Sequence, residues 1–421
     1  AGLKNQNYII NLLWQPTDKT RVNLEYEYIR QNQRGHRLRG VPIDANGNFL
    51  TDISFSAAER TDFINLDANV FQANLSQDFW KNARFEATFR YLTNDRPERY
   101  HEPRGFTADG RGVTREFRDQ VRSNQDWSLT ANFFKPVSTK GFGRHTFNLG
   151  TEYYTQDWSF IFRRARVGVP NIDIFNPVYG VANSLTYALS LINDDQAKPS
   201  RFGFYFQDQV EINRYFQFVA GGRIERFDDE GRSGNLTLKG GDTSFTGRVG
   251  AVIKPFEKMA IYGSFANSYV RPSILAQTPS ANGPFAPERG EQFEGGVKFE
   301  LLDRKLFITS SVYQITKRDV LIADPNFGPN GDNFNALLQV GEVRNRGFDI
   351  DANGAITRRW NFSANYSRID SEIRKFNIAS TIGKPMPNVP KNTFGFFTRY
   401  DITSEIGVGF GGEFVGSRIE P

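Results

Sequence analysis

Bond-making chemistry has little to work with in this chain. It has no cysteine, which excludes disulfides, thiolate metal sites and thiol nucleophiles and suits a compartment where free thiols would oxidise. The three histidines, His36, His101 and His145, lie far apart without ligand spacing, so structural or surface roles fit them better than metal binding. No G-x-S-x-G elbow, H-E-x-x-H pair or Walker loop occurs. "GVGFGG" at 407–412 approaches a dinucleotide fingerprint, but no helix or acidic partner follows, and glycines making room in a crowded strand explain it better. "DPNFGPNGDN" at 324–333 alternates oxygen ligands as a calcium loop would, yet it lacks the bidentate acid at the right distance and reads as a turn-rich loop. The sequence therefore points away from an enzyme and implies no cofactor.

Rings and charges are what the chain has in abundance. Aromatic residues make up 14% while all hydrophobic residues reach only 38%, and the mean hydropathy is −0.52, so many rings stand among few aliphatics. Fifty-two Lys and Arg against 47 Asp and Glu give a net charge of +5. The signs are interleaved rather than blocked, and no base-reading motif accompanies them, which argues against nucleic acid as a partner. No apolar run is long enough for a transmembrane helix, and no basic-then-apolar start marks a signal peptide.

The elements that must position these rings are strands. In "TRVNLEYEYIR", Val22, Leu24, Tyr26 and Tyr28 share one parity, and Arg21, Asn23, Glu25 and Glu27 the other. "ARFEATFRYL", "DWSLTANFF", "HTFNLGTEYY" and "RFGFYFQDQ" repeat the pattern, giving roughly sixteen strands of about 8 to 14 residues. The hairpin "EQFEGGVKFELLDRKLFITSSVYQI" sets Phe293, Val297, Phe299 and Leu301, then Phe307, Thr309, Ser311, Tyr313 and Ile315, on its ring face, with "LDR" as the turn. Connections alternate between short turns and long polar loops near 31–62, 92–125, 159–199, 228–243, 268–290, 318–337 and 371–392. That alternation describes an all-β, transmembrane antiparallel β-barrel, with rings toward lipid and charges toward the lumen. Arg223, Glu225, Arg248, Glu294, Lys298, Glu300, Asp349 and Asp351 fall on or near the polar parity. A soluble sheet would show aliphatic-rich inner faces instead. First and last strands both reach the long-loop side, an end topology that complete barrels do not usually have.

At this point the residues resemble a family. "IDIFNPVYG" (172–180), "RFGFYFQDQVEI" (201–212), "VAGGRIERFDD" (219–229), "YGSFANSYVRPS" (262–273), "QVGEVRNRGFDIDANG" (339–354) and "PMPNVPKNTFGFFTRYD" (385–401), in this order, are similar to TonB-dependent siderophore receptors of the ferrichrome-receptor type. The resemblance implies a plugged barrel of about 22 strands. On that reading, residues 1–421 are the central part of the barrel, with roughly 16 strands, and the N-terminal plug and terminal strands lie outside it. It further implies a monomer in the outer membrane of a Gram-negative bacterium, surrounded by lipid and lipopolysaccharide, that takes up a ferric siderophore and is energised through TonB and its inner-membrane complex. Rings and hydrogen bonds, not direct iron ligation, would hold the ligand. By loose similarity of "ERYHEPRGF", "TREFRDQ" and "WSFIFRRARVG" to ligand-holding loops, the candidates are Tyr100, Phe106, Phe117, Phe160 and Phe162. Arg104, Arg163 and Arg164 would serve an anionic ligand or lipopolysaccharide. A passive porin and a receptor for cobalamin or haem are the rival readings, and an outer-membrane hydrolase would need a Ser/His pair that the sequence does not offer.

Overall fold

The computed structural model describes residues 2–35, 40–324, 336–376 and 378–419. Sixteen long strands and one two-residue strand form a single sheet among the described residues. They are β1 (Gly2–Thr17), β2 (Thr20–Arg34), β3 (Phe63–Asp78), β4 (Arg84–Phe106), β5 (Gly112–Thr139), β6 (Gly143–Ala165), β7 (Ile172–Asp173), β8 (Ser190–Glu211) and β9 (Phe216–Ser233). There follow β10 (Leu236–Phe256), β11 (Met259–Val270), β12 (Glu288–Leu301), β13 (Leu306–Ala323), β14 (Leu337–Thr357), β15 (Trp360–Lys375), β16 (Asn392–Asp401) and β17 (Gly407–Val415). Each long strand pairs antiparallel with the next long one, and β7 sits apart against the tip of β5. Such a meander closes every backbone hydrogen bond between neighbours, which a chain crossing lipid requires.

Register fixes which face is wet. Arg223 on β9 pairs with Glu152 at 3.1 Å, and Arg201 reaches the same carboxylate at 3.5 Å. A midplane Arg or Lys turned to lipid would cost about 2 to 4 kcal/mol, so this parity faces the lumen. The opposite parity carries Phe202, Phe204, Phe206, Phe216, Phe218, Phe245 and Val249, all exposed as a lipid-facing wall must be.

Two sequence expectations change. The β12–β13 turn takes four residues, 302–305, because Leu301 pairs with Leu306. An even-length turn flips the parity, so Phe307, Tyr313 and Ile315 lie opposite Glu300, Glu294 and Gln292 on the wet face. Ile308 and Val312 take the lipid side with Phe299, Val297 and Phe293.

The long polar segments are also largely strand. β4 and β5 run through most of 92–125 and meet at a turn over 107–111, while only 234–235 separate β9 from β10. β5 is 28 residues long and β17 only 9, a wider spread than expected. Above the lipid a strand keeps its ladder but no longer needs an apolar face, so it acquires the composition of a loop. Among the described residues, connections remain at 40–62, 166–189 around the short β7, 271–287 and 378–391.

Tyrosines on the wet face lie over glycines. Tyr205, Tyr262 and Tyr313 sit directly across from Gly150, Gly296 and Gly347. A Cβ on Gly150 would stand 2.2 Å from the Tyr205 ring, and one on Gly347 would stand 2.1 Å from that of Tyr313. Each glycine makes room for a ring that covers the strand beside it. β16 and β17 repeat the device on both faces, with Phe396 over Gly412 at 3.1 Å toward lipid and Phe397 over Gly411 at 3.0 Å on the other side, which accounts for the glycines of 409–412. Gly347→Ala is therefore expected to expel the Tyr313 ring and to cost about 1 to 3 kcal/mol, read as a lower urea midpoint in detergent micelles. Stability equal to the parent would remove this device from the account.

Candidate functional site

β4, β5 and β6 rise well past the lipid-facing band as one unbroken sheet. β5 and β6 stay in register from Phe117/Ala165 to Thr139/Gly143, so the wet parity continues to the mouth. On that face Tyr100, Arg118 and Arg164 form one row, and Glu98, Gln120 and Phe162 the next. Arg96, Arg122 and Phe160 form the third. Along β6 the alternation brings Trp158, Phe160 and Phe162 into a column with centroids 6.1 Å apart at each step, the last two rings 18° from parallel. The Arg122 guanidinium lies 4.5 Å from the Phe160 centroid and that of Arg118 5.7 Å from Phe162, within the range of cation–π attraction.

Carboxylates beneath hold these arginines in place. Glu116 is fully buried and accepts from Arg118 at 2.6 Å and Arg166 at 3.0 Å, with Arg104 at 3.6 Å and Arg164 at 3.9 Å. Burial pushes its carboxyl up, but hydrogen bonds from Arg166 and Arg118 and the charges of Arg118 and Arg104 outweigh that and hold it below the usual range. Glu98, also buried, takes Arg122 at 2.6 Å and Arg96 at 2.9 Å. Six arginines (96, 104, 118, 122, 164 and 166) thus face three carboxylates, Glu98, Glu102 and Glu116. Among the described residues this cluster is net positive.

Not every sequence candidate joins this face. Tyr100, Phe160, Phe162 and Arg164 lie on it, and Arg104 reaches it past a bulge at Pro103–Gly105. Phe117 and Arg163 occupy the opposite parity, Arg163 across from Asp119. Phe117 is core there, packed with Ala165, Val169 and Tyr187. His101 stands beside it, its Nδ1 2.8 Å from Asp62 and its Nε2 3.2 Å from the Tyr187 hydroxyl. With the buried Arg115–Glu59 pair at 2.9 Å, these contacts pin the 40–62 and 166–189 connections to the back of the sheet. Phe106 is exposed near the hairpin tip. His145 pairs with Asp208 at 2.8 Å, whereas His36 and residues 325–333 lie outside the described residues.

A cavity of about 620 Å³ opens lower on the wet face, lined among others by Tyr154, Trp158, Phe227, Tyr269, Arg201 and Arg271. Its rim is the 271–277 turn, folded inward. Arg271 pairs with Asp229 at 2.9 Å, and buried Ile274 sits over Gly231, whose Cβ would stand 2.7 Å from it. Trp158 links this cavity to the ring column above.

Residues 11–419 match the β-barrel model described as TonB dependent receptor-like. The chain belongs to the TonB-dependent receptor family. It is accordingly an outer-membrane β-barrel. The metal-pseudopaline receptor of Pseudomonas aeruginosa is 25% identical over 403 residues, 93% of this chain and 54% of that protein. The ferrichrome outer membrane transporter/phage receptor of Escherichia coli is 31% identical over 264 residues, 59% of this chain and 33% of that protein. The crystal structure of a siderophore receptor from Acinetobacter baumannii matches 98% of this chain and 64% of that one, with a TM-score of 0.84 at 21% identity. The chain spans about half the length of the curated relatives it matches.

In this TonB-dependent receptor barrel, Arg118, Arg122, Glu98, Glu116 and Trp158 are residues that sequence reasoning passed over. Their signal was the period of two itself: Arg118-x-Gln120-x-Arg122 and Trp158-x-Phe160-x-Phe162 are strand patterns inside segments first read as loops. Glu116→Gln should loosen the upper β4–β5 hairpin by about 3 to 5 kcal/mol locally, seen as faster amide exchange over 98–118. Because the folded carboxyl titrates below its unfolded value near 4.3, the parent hairpin should hold its protection above that value. Protection should fall only as pH drops through the lower folded value.

Proposed function

We propose that this chain forms the wall of a monomeric outer-membrane receptor that binds ferric siderophores at its mouth and imports them. The observation that carries the reading is the column Trp158, Phe160, Phe162 flanked by Arg118 and Arg122 on the wet face. A ferric siderophore is a bulky complex whose iron is already fully coordinated by the siderophore. A receptor therefore has to grip organic surface and residual negative charge, which rings and clamped guanidinium groups do without donating to the metal. Relatives support the choice of cargo, since proteins 24 to 31% identical over the aligned stretch are named as receptors or transporters for ferrichrome, ferrioxamine B and metal-pseudopaline.

In this reading residues 1–421 are the central part of a longer barrel whose lumen holds a plug. The wet-face charges Arg223, Glu225, Arg248, Glu294, Lys298, Glu300, Asp349 and Asp351 form the seam against it, and TonB with its inner-membrane complex supplies the energy through the plug.

In the full-length receptor, Phe160→Ala and Arg122→Ala should each weaken ferric-siderophore binding about tenfold. Phe117→Ala, which acts on the back of the sheet, should leave affinity within about twofold when the protein is folded. Intrinsic fluorescence quenching on ligand addition measures both. Uptake of the radiolabelled iron complex that persists in a strain lacking TonB would sink the import reading.

A further inference from the structure

β10 and β11 part above the row of Arg248 and Ala266. Below it they form one ladder; above it β10 pairs only with β9, and β11 only with β12. Released from β10, the end of β11 leans over the wet face of its neighbours. The Tyr269 ring lies 5.6 Å from that of Phe227 on β9, and its hydroxyl donates to Asp242 on β10. The 271–277 turn then crosses both strands, and two glycines admit it. A Cβ on Gly231 would stand 2.7 Å from Ile274, and one on Gly240 would stand 2.5 Å from the Nη2 of Arg271. Arg271 is thereby set into the wall of the 620 Å³ cavity, its side chain only 13% exposed.

Each guanidinium at this cavity already has a carboxylate beside it, yet its donors are not used up. Arg271 gives its Nε to Asp229 at 2.9 Å. Arg201 shares Glu152 and Glu225 with Arg223, lying 3.5 and 3.9 Å from them. Even so, Nη1 of Arg271 and Nε of Arg201 are both buried without a hydrogen-bond partner among the described residues. Both side chains line the cavity together with Tyr154, Trp158, Phe227 and Tyr269. The Arg201 guanidinium is held 4.7 Å from the Tyr154 centroid, within cation–π range. A buried donor left unpaired costs about 1 to 3 kcal/mol. Two of them at one ring-lined cavity call for an acceptor that reaches both.

We propose that this cavity is a carboxylate subsite of the ligand path, in which Arg271 and Arg201 take a free carboxylate arm of the ferric siderophore while the rings cover the body of the molecule. The transported complex is then a carboxylate-bearing siderophore rather than a neutral tris-hydroxamate, and Arg271 is the residue that selects it. This rests on the siderophore reading of the mouth, to which the cavity is joined through Trp158. A carboxylate has open lone pairs on two oxygens, one for each free N–H, and charge-assisted bonds of this kind are the strong ones. In a neutral tris-hydroxamate complex the hydroxamate oxygens are all on iron, so the two buried donors would stay unpaired.

The test sets two arms on one iron core: the ferric complex of desferrioxamine B capped on its amine with succinate, which ends in a carboxylate, and the same complex capped with acetate, which is neutral. Fluorescence titration of the full-length receptor should show the succinylated complex bound at least about tenfold more tightly than the acetylated one. In Arg271→Gln the two affinities should come within about twofold of each other. Phe160→Ala should weaken both complexes and keep the preference. The preference is a ratio read on the parent alone, so it does not depend on the folding of any variant. Equal affinity of the parent for the two complexes, or a preference that survives Arg271→Gln, would overturn the subsite and leave the siderophore reading of the mouth in place. Binding of neither complex would count against both.

Discussion

Everything in this molecule follows from where its charges can point. A sheet that crosses lipid must pair every backbone amide and keep ionised side chains off its outer face. Two constraints on one strand leave a single solution, alternation, and the chain applies it from β1 to β17. The network of Glu152, Arg201, Arg223 and Glu225 marks the inner face as surely as Phe202, Phe204 and Phe206 mark the outer. Once the parity is assigned in the lipid zone, the β5–β6 ladder carries it upward without a slip, and side chains far above the membrane inherit their orientation from charges well below them.

This inheritance explains how a binding surface is built from so little. Above the lipid, β4, β5 and β6 are held by small packed clusters and ion pairs: Glu116 and Glu98 gather arginines on one face while Phe117, His101 and the Arg115–Glu59 pair fasten the connections on the other. The result is a stiff, two-sided sheet with a different task for each side. Buried ion pairs seldom add stability over apolar contacts, but here they fix several guanidinium groups against rings, and the surplus of arginine over carboxylate leaves a field for an anionic ligand. The inward 271–277 turn, seated by Ile274 over Gly231, gives the column a deeper continuation.

Strand number and the wet and dry faces were legible in the sequence because lipid enforces period two so strictly. The rest failed for physical reasons that can be named. Polar composition over 92–125 and 228–243 suggested loops, but a ladder outside lipid needs no apolar face, so β4, β5, β9 and β10 extend through them. In "LDR" the turn takes one residue more than was read, and parity counts residues, so Phe307 and Tyr313 went to the wrong face. Within the site, Tyr100, Phe160 and Phe162 were visible as rings, yet neighbouring Phe117 has the same sequence character and turns to the opposite side. Which parity a ring occupies depends on register across strands, and no single segment records it. Glu116 was invisible for a related reason: its partners come from positions 104, 118, 164 and 166, brought together only by pairing.

The central claim, that the face bearing Phe160 lines the ligand path while the face bearing Phe204 meets lipid, can be tested directly because the chain has no cysteine. Phe160→Cys and Phe204→Cys in the full-length receptor would each carry one environment-sensitive fluorophore in intact outer membrane. The account predicts strong quenching by the ferric siderophore at position 160 alone, and a blue-shifted, lipid-like emission at position 204 alone. Lipid-like emission at 160, or equal quenching at both positions, would contradict it.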